Sequence, residues 1–278
     1  MTAPVFFAVL FAALLHASWN AVVKLGLDRF ASMLVMALMQ SGIALLLTPF
    51  FAPPAAAAMP WLLLGSALHT GYKLFLIRAY SHGDLSEVYP VSRGTAPLIV
   101  ADVGLVALGE TMTPGRYAAI AAIAGGILLM AGGGRGGASR RALAWALGTA
   151  CFTAGYTMAD GIGARLAQSV SGFALLLFVI DGLAMMTAGT VVRGPRAIGE
   201  AVAAAWRPGL ATGAMSLGSY WIAIWAFTQA PLALVAALRE TSVLFALLIG
   251  ALFLGERVGP RRWLAAGLIG TGIVLIRL

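Results

Sequence analysis

Ten ionisable side chains stand inside or at the edges of long apolar runs: His16, His69, Lys73, Glu87, Arg93, Asp102, Asp160, Asp181, Arg239 and Glu240. A charge in hydrocarbon is costly, so such residues turn inward, towards one another or towards a wet cavity, and they mark routes for solutes, ions or protons. His16, Trp19 and Asn20 are neighbours on one helical face. An imidazole, an indole and an amide together can hold a small polar or zwitterionic solute, or can bind a neighbouring helix. Tyr72, Lys73 and Arg93 offer a phenol and two cations, which can receive a carboxylate or pair with Asp84 or Glu87. Arg239 and Glu240 are adjacent, hence about 100° apart around a helix, so Arg239 can pair with Asp181 or Asp102 instead. Tyr220, Trp221 and Trp225 form an aromatic face that can stack on a ring or cover a cation, or lie as a belt at a membrane surface. Glu110 and Glu256 each stand shortly before a helix-starting proline, where a carboxylate favours the N-terminus of the next helix. Proton coupling is their other possible use.

The elements that position these groups must be membrane helices. Of 278 residues, 61% are hydrophobic and 10% charged, and the mean hydropathy is +0.94. A soluble domain is about 25% charged, so this chain cannot cover a water-facing globule. That excludes a cytosolic enzyme, a nucleic-acid-binding domain and a disordered protein. A crossing needs about 20 mostly apolar residues. Ten candidates meet this, at 3–23, 31–51, 59–79, 88–108, 114–132, 142–162, 172–192, 209–229, 231–254 and 260–277. Short connections leave no room for a soluble domain, and a Gly/Arg-rich stretch, 133–141, joins two halves. Pro114, Pro208, Pro231 and Pro260 are placed to start helices, whereas Pro97 falls inside a span and should kink it. Ala122/Gly126 and Gly209/Gly213 are small pairs that allow close helix approach. The first basic residue is Lys24, so the positive start of a cleavable leader is missing and the first helix is expected to be retained. The lone Cys151 excludes an internal disulfide and, lying inside an apolar run, is expected to be a small packing residue.

The halves repeat. Gly109-Glu110 through Tyr117 matches Gly255-Glu256 through Trp263 at an offset of 146, as do Arg93 with Arg239 and Gly126-Ile127 with Gly272-Ile273. A weaker match at an offset of 137 pairs Trp19 with Tyr156. A repeat of five crossings must insert its second copy upside down, and inverted repeats enclosing a midplane site are an architecture of secondary transporters. The net charge of +8 reads as topology: the odd-numbered connections hold twelve Lys or Arg and the other side three. Basic loops stay cytoplasmic, which places both termini outside the cytoplasm. Enzyme signatures are missing. Asp160-Gly161 resembles the opening of the CDP-alcohol phosphotransferase motif, but Thr157 stands where that motif needs Asp. No zinc motif and no phosphate-binding loop occurs.

These pieces together resemble the drug/metabolite transporter superfamily, in its EamA branch. The resemblance rests on His16-Ala17-Ser18-Trp19-Asn20-Ala21 with Lys24, on Gly83 through Pro90 with Arg93-Gly94, and on the duplicated Leu108-Gly109-Glu110 and Leu254-Gly255-Glu256. Within the branch the chain is similar to YddG-type amino acid exporters. The resemblance implies an all-α polytopic membrane protein of ten transmembrane helices in two five-helix inverted repeats, 1–132 and 142–278, with the first, third, fourth, sixth, eighth and ninth helices around a central cavity. It implies export of small polar metabolites, foremost amino acids, across the bacterial inner membrane by alternating access. No enzymatic activity, metal or cofactor is expected, and the partners are a small-molecule substrate and the lipid bilayer. A lipid-linked sugar flippase subunit and a membrane enzyme are the alternatives. The expected substrate contacts are His16, Trp19, Asn20, Tyr72, Lys73, Arg93, Tyr156, Tyr220, Trp221, Trp225 and Arg239.

Overall fold

A computed structural model describes residues 1–24, 29–82, 85–130, 139–253 and 258–277. These hold eleven α-helices, two short 3₁₀ turns and no strand. The helices are α1 (Ala3–Lys24), α2 (Arg29–Leu47), α3 (Met59–His82), α4 (Leu85–Leu108), α5 (Pro114–Met130), α6 (Arg140–Leu166), α7 (Val170–Arg193), α8 (Pro195–Phe227), α9 (Leu232–Glu240), α10 (Ser242–Phe253) and α11 (Pro260–Arg277). Among the described residues, six helical stretches are long and apolar enough to cross a bilayer: those of α1, α2, α4, α7, α8 and the combined α9–α10. The chain is a multi-pass membrane protein.

Three elements depart from the sequence reading. The eighth helix starts at Pro195, not at 209, and Pro208 lies inside it. Residues 195–207 are helical but too polar for a span, with Arg196 and Glu200 paired at i, i+4 on an exposed surface. Pro208 lacks an N–H and crowds the carbonyl four residues earlier, and the helix leaves helical geometry beside it, at Ala205 (φ −134°, ψ 20°). The turn from α7 into α8 is made by Gly194 at φ +81°, a conformation that costs glycine little. The ninth span is broken at Thr241, whose N–H and hydroxyl both bond the Leu238 carbonyl in place of the helical ladder. Finally, α4 runs as one helix through both Pro90 and Pro97.

Helix ends gather on two faces. On one, Ser139 Oγ donates to the His82 carbonyl at 3.2 Å, the Arg261 Nε–H to the Leu129 carbonyl at 2.9 Å, and Arg193 lies over the Phe30 ring. On the other, Glu110 and Arg165 pair at 2.7 Å, Arg165 also donates to the Phe227 and Ala230 carbonyls, and Ala55 N–H bonds the Ala167 carbonyl. Glu110 Oε2 accepts the backbone N–H of Leu232 at 2.9 Å. Glu110 therefore caps α9, in the other half of the chain, not the helix that follows it. Its counterpart Glu256 lies outside the described residues, as do Asp84 and most of the 133–141 connector; nothing is described of the Lys24 and Glu87 side chains.

Inter-helix packing depends on small residues. α5 and α11 run antiparallel and touch through matching positions. A Cβ on Gly126 would sit 2.7 Å from Ile269 Cγ1 and 2.9 Å from the Ala265 carbonyl; one on Gly272 would sit 2.6 Å from Ile123 Cγ1 and 2.8 Å from the Ala119 carbonyl. Each of these pairs, 119/265, 123/269 and 126/272, is separated by the 146 residues of the sequence repeat. Gly213 likewise lets α8 approach the backbone of α2, and Ser219 Oγ ties α8 to the Ala12 carbonyl of α1 at 2.7 Å. Cys151 is exposed on the outer side of α6, not buried in packing. A free thiol behaves as a small apolar group, which suits an exposed position on an apolar helix. Asp102 is also exposed, on α4.

Candidate functional site

The inward-facing polar residues line a partly open cavity of about 100 Å³. α1 contributes His16 and Trp19, α3 His69, Tyr72 and Lys73, and α4 Arg93; Tyr156 comes from α6, Tyr220 from α8 and Arg239 from α9. α2 and α7 also reach it, through Met36 and Gln40 and through Phe178 and Asp181. The wall is thus wider than the six helices implied by the family resemblance.

The cavity's charges form two ion pairs and one under-compensated cation. Lys73 Nζ bonds both Asp181 oxygens, at 2.6 and 2.7 Å. Lys73 thus pairs with a residue of α7; of the partners the sequence offered, Asp84 lies outside the described residues and nothing is described of the Glu87 side chain. Arg93 Nη1 reaches Glu240 Oε1 at 3.1 Å, while Nη2 lies 3.2 Å from His16 Nε2 and 3.4 Å from the Tyr72 hydroxyl. Arginine only donates, so His16 Nε2 is the acceptor. Arg239 pairs with neither Asp181 nor Asp102. It stands 3.9 Å from Glu240, which Arg93 already engages, and 3.4 Å from the Tyr156 hydroxyl, with its guanidinium 4.9 Å from the Tyr220 ring centre. Arg239 Nη1 is buried without a hydrogen-bond partner, and so is the Trp19 indole Nε1.

Three expected contacts lie elsewhere. Asn20 turns its amide to the His16 carbonyl of its own helix, at 2.7 Å. Trp221 packs edge-on against Phe51 and donates to Ser171 Oγ at 3.1 Å. Trp225 packs against the apolar cluster of α1, α4, α5 and α9. Of the aromatic face on α8, only Tyr220 turns to the cavity; a helix apolar on every side carries no periodicity to single it out.

Residues 140–278 match the sequence profile of the EamA-like transporter family. The chain belongs to that family. No curated protein matches it. A solved crystal structure shares the fold at 14% identity, with a TM-score of 0.72 over 98% of this chain and 94% of the other. Members of the EamA-like family are membrane transporters, so the polar chamber of this EamA-like chain belongs to a protein that moves a small molecule across a bilayer.

Aromatic rings complete the chamber. His69 stacks on Tyr156 at 4.0 Å and meets Tyr220 edge-on, and Tyr72 meets Tyr156 edge-on. His69, Asp160, Asp181 and Glu240 were visible in the sequence as ionisable residues in apolar runs, but nothing there gave them these partners. Gln40 and Phe178 gave no signal at all. Among the described residues, no cluster of His, Cys, Asp or Glu is arranged to hold a metal ion.

Proposed function

We propose that this EamA-like protein is a secondary transporter exporting amino acids from the bacterial cytoplasm by alternating access. Two buried donors without acceptors, Arg239 Nη1 and Trp19 Nε1, on residues that line one cavity, carry this reading. Unsatisfied buried donors are costly, and a ligand carboxylate would supply the missing acceptors. His16, Tyr72, Lys73, Arg93, Tyr156 and Tyr220 would complete the contacts, the phenols giving apolar area to a side chain. Aromatic amino acids suit that lining, as in YddG-type exporters.

The architecture proposed is ten crossings in two inverted repeats, 1–132 and 142–278. The antiparallel α5–α11 contact supports it, since matching residues touch in both directions as a two-fold axis across the helices requires. Both termini are assigned to the periplasm, because the connections on the opposite face carry twelve basic residues against three.

The test is reconstitution in liposomes with a panel of labelled amino acids. Uptake of at least one member, reduced in Arg239→Gln, is expected. Correctly folded protein that moves no panel member would remove amino acids as the substrate, and movement of a lipid-linked sugar instead would favour a flippase.

A further inference from the structure

Asp160 is fully buried on α6, six residues from the helix end, yet among the described residues no ion pair with Lys or Arg engages it. Its Oδ2 lies 2.9 Å from His69 Nε2 and 2.5 Å from the Tyr220 hydroxyl, which donates to it. Its Oδ1 is buried with no hydrogen-bond partner. The carboxyl fits only because position 65 is glycine: a Cβ there would overlap Oδ1. A carboxylate so deep in a bilayer protein is expensive unless charge is supplied to it. The neighbours offer little. α3 presents His69, α8 Tyr220, α6 itself Tyr156, and α9 Arg239, whose guanidinium lies 4.9 Å from the centre of the Tyr220 ring. Lys73 from α3 is held by Asp181 of α7, and Arg93 of α4 by Glu240.

His69 is the connection to water. It lines the cavity with one edge and touches Asp160 with Nε2. An imidazole can take a proton on one ring nitrogen and release one from the other. We infer that Asp160, reached through His69, is a proton-binding site of the cavity. A proton arriving at the Nδ1 of neutral His69 gives an imidazolium; the Nε2 proton then passes to Asp160, leaving a neutral imidazole and a neutral carboxylic acid. Release runs the same steps backwards. The network therefore changes by one charge beside Arg239, and that change couples the proton to whatever occupies the cavity. The coupling rests on the export reading above; the site does not.

Two measurements test this. Infrared titration of the folded, detergent-solubilised protein should show a protonated carboxyl band that is lost with rising pH, is missing from Asp160→Asn, and has a displaced midpoint in His69→Gln and Tyr220→Phe. Asp102→Asn, on the exposed side of α4, should leave that band unchanged. The same titration in parent and Asp160→Asn would overturn the site. In liposomes, accumulation of a transported amino acid should respond to an imposed pH gradient, and Asp160→Asn should lose that response. An equal response in both would overturn the coupling. If no amino acid moves, the export reading falls, and the infrared result decides the proton site alone.

Discussion

Arg239 is 4% exposed and faces phenols, one shared carboxylate and empty space. A hydrogen bond to a charged group contributes about 1.5–3 kcal/mol, so Arg239→Gln is expected to weaken substrate binding by about 10- to 100-fold, read as a rise in KM in liposomes. Arg239→Lys should recover only part, because a single ammonium cannot reproduce the planar fork. The Lys73–Asp181 pair makes a different prediction. Losing one partner of a fully buried pair costs about 3–5 kcal/mol. Here both side chains keep some exposure, 17% and 13%, so solvent screens part of the loss. Asp181→Asn should therefore melt below the parent by a smaller margin, and the double replacement Lys73→Met with Asp181→Leu should melt above Asp181→Asn. The sequence marks these residues well as classes, since a Lys or Asp in an apolar run stands out. It pairs them badly, because Lys73 and Asp181 are 108 positions apart and only packing of α3 on α7 joins them.

Helices were legible by their apolar length, and their interruptions were not. Pro208 reads equally as a helix start and as a kink, and only the polar but helical 195–207 segment decides between them. The break at Thr241 lies in a run with no Gly or Pro between Pro231 and Gly250, so no local residue announces it. The small residues of α5 and α11 were visible, but not their reciprocity. Gly126→Ala and Gly272→Ala would each force backbone apart, and overpacking typically costs about 1–3 kcal/mol. Both should lower the melting temperature by similar amounts in detergent. Gly270→Ala, with open space around its Cβ, should be neutral or slightly stabilising through helix propensity. Equal stability of all three variants would refute the close seam.

At the scale of the whole molecule, the proposed orientation predicts labelling. In a Cys151→Ser background, Ser139→Cys should react with a membrane-impermeant thiol reagent only after cell lysis, whereas Gln168→Cys, on the opposite face, should react in intact cells with a permeable outer membrane. The reverse pattern would invert the topology. The seam between α5 and α11 has a consequence for a carrier that works as proposed. Its contacts map onto themselves when the two halves trade places, so the same atoms can stay in touch whichever way the molecule faces. The α3–α6 and α1–α8 contacts have no such property, since trading the halves turns one into the other. In the proposed carrier the seam, together with the self-matching α2–α7 and α4–α9 contacts, would serve as the axle, and the work of reversal would fall on the α3–α6 and α1–α8 packing.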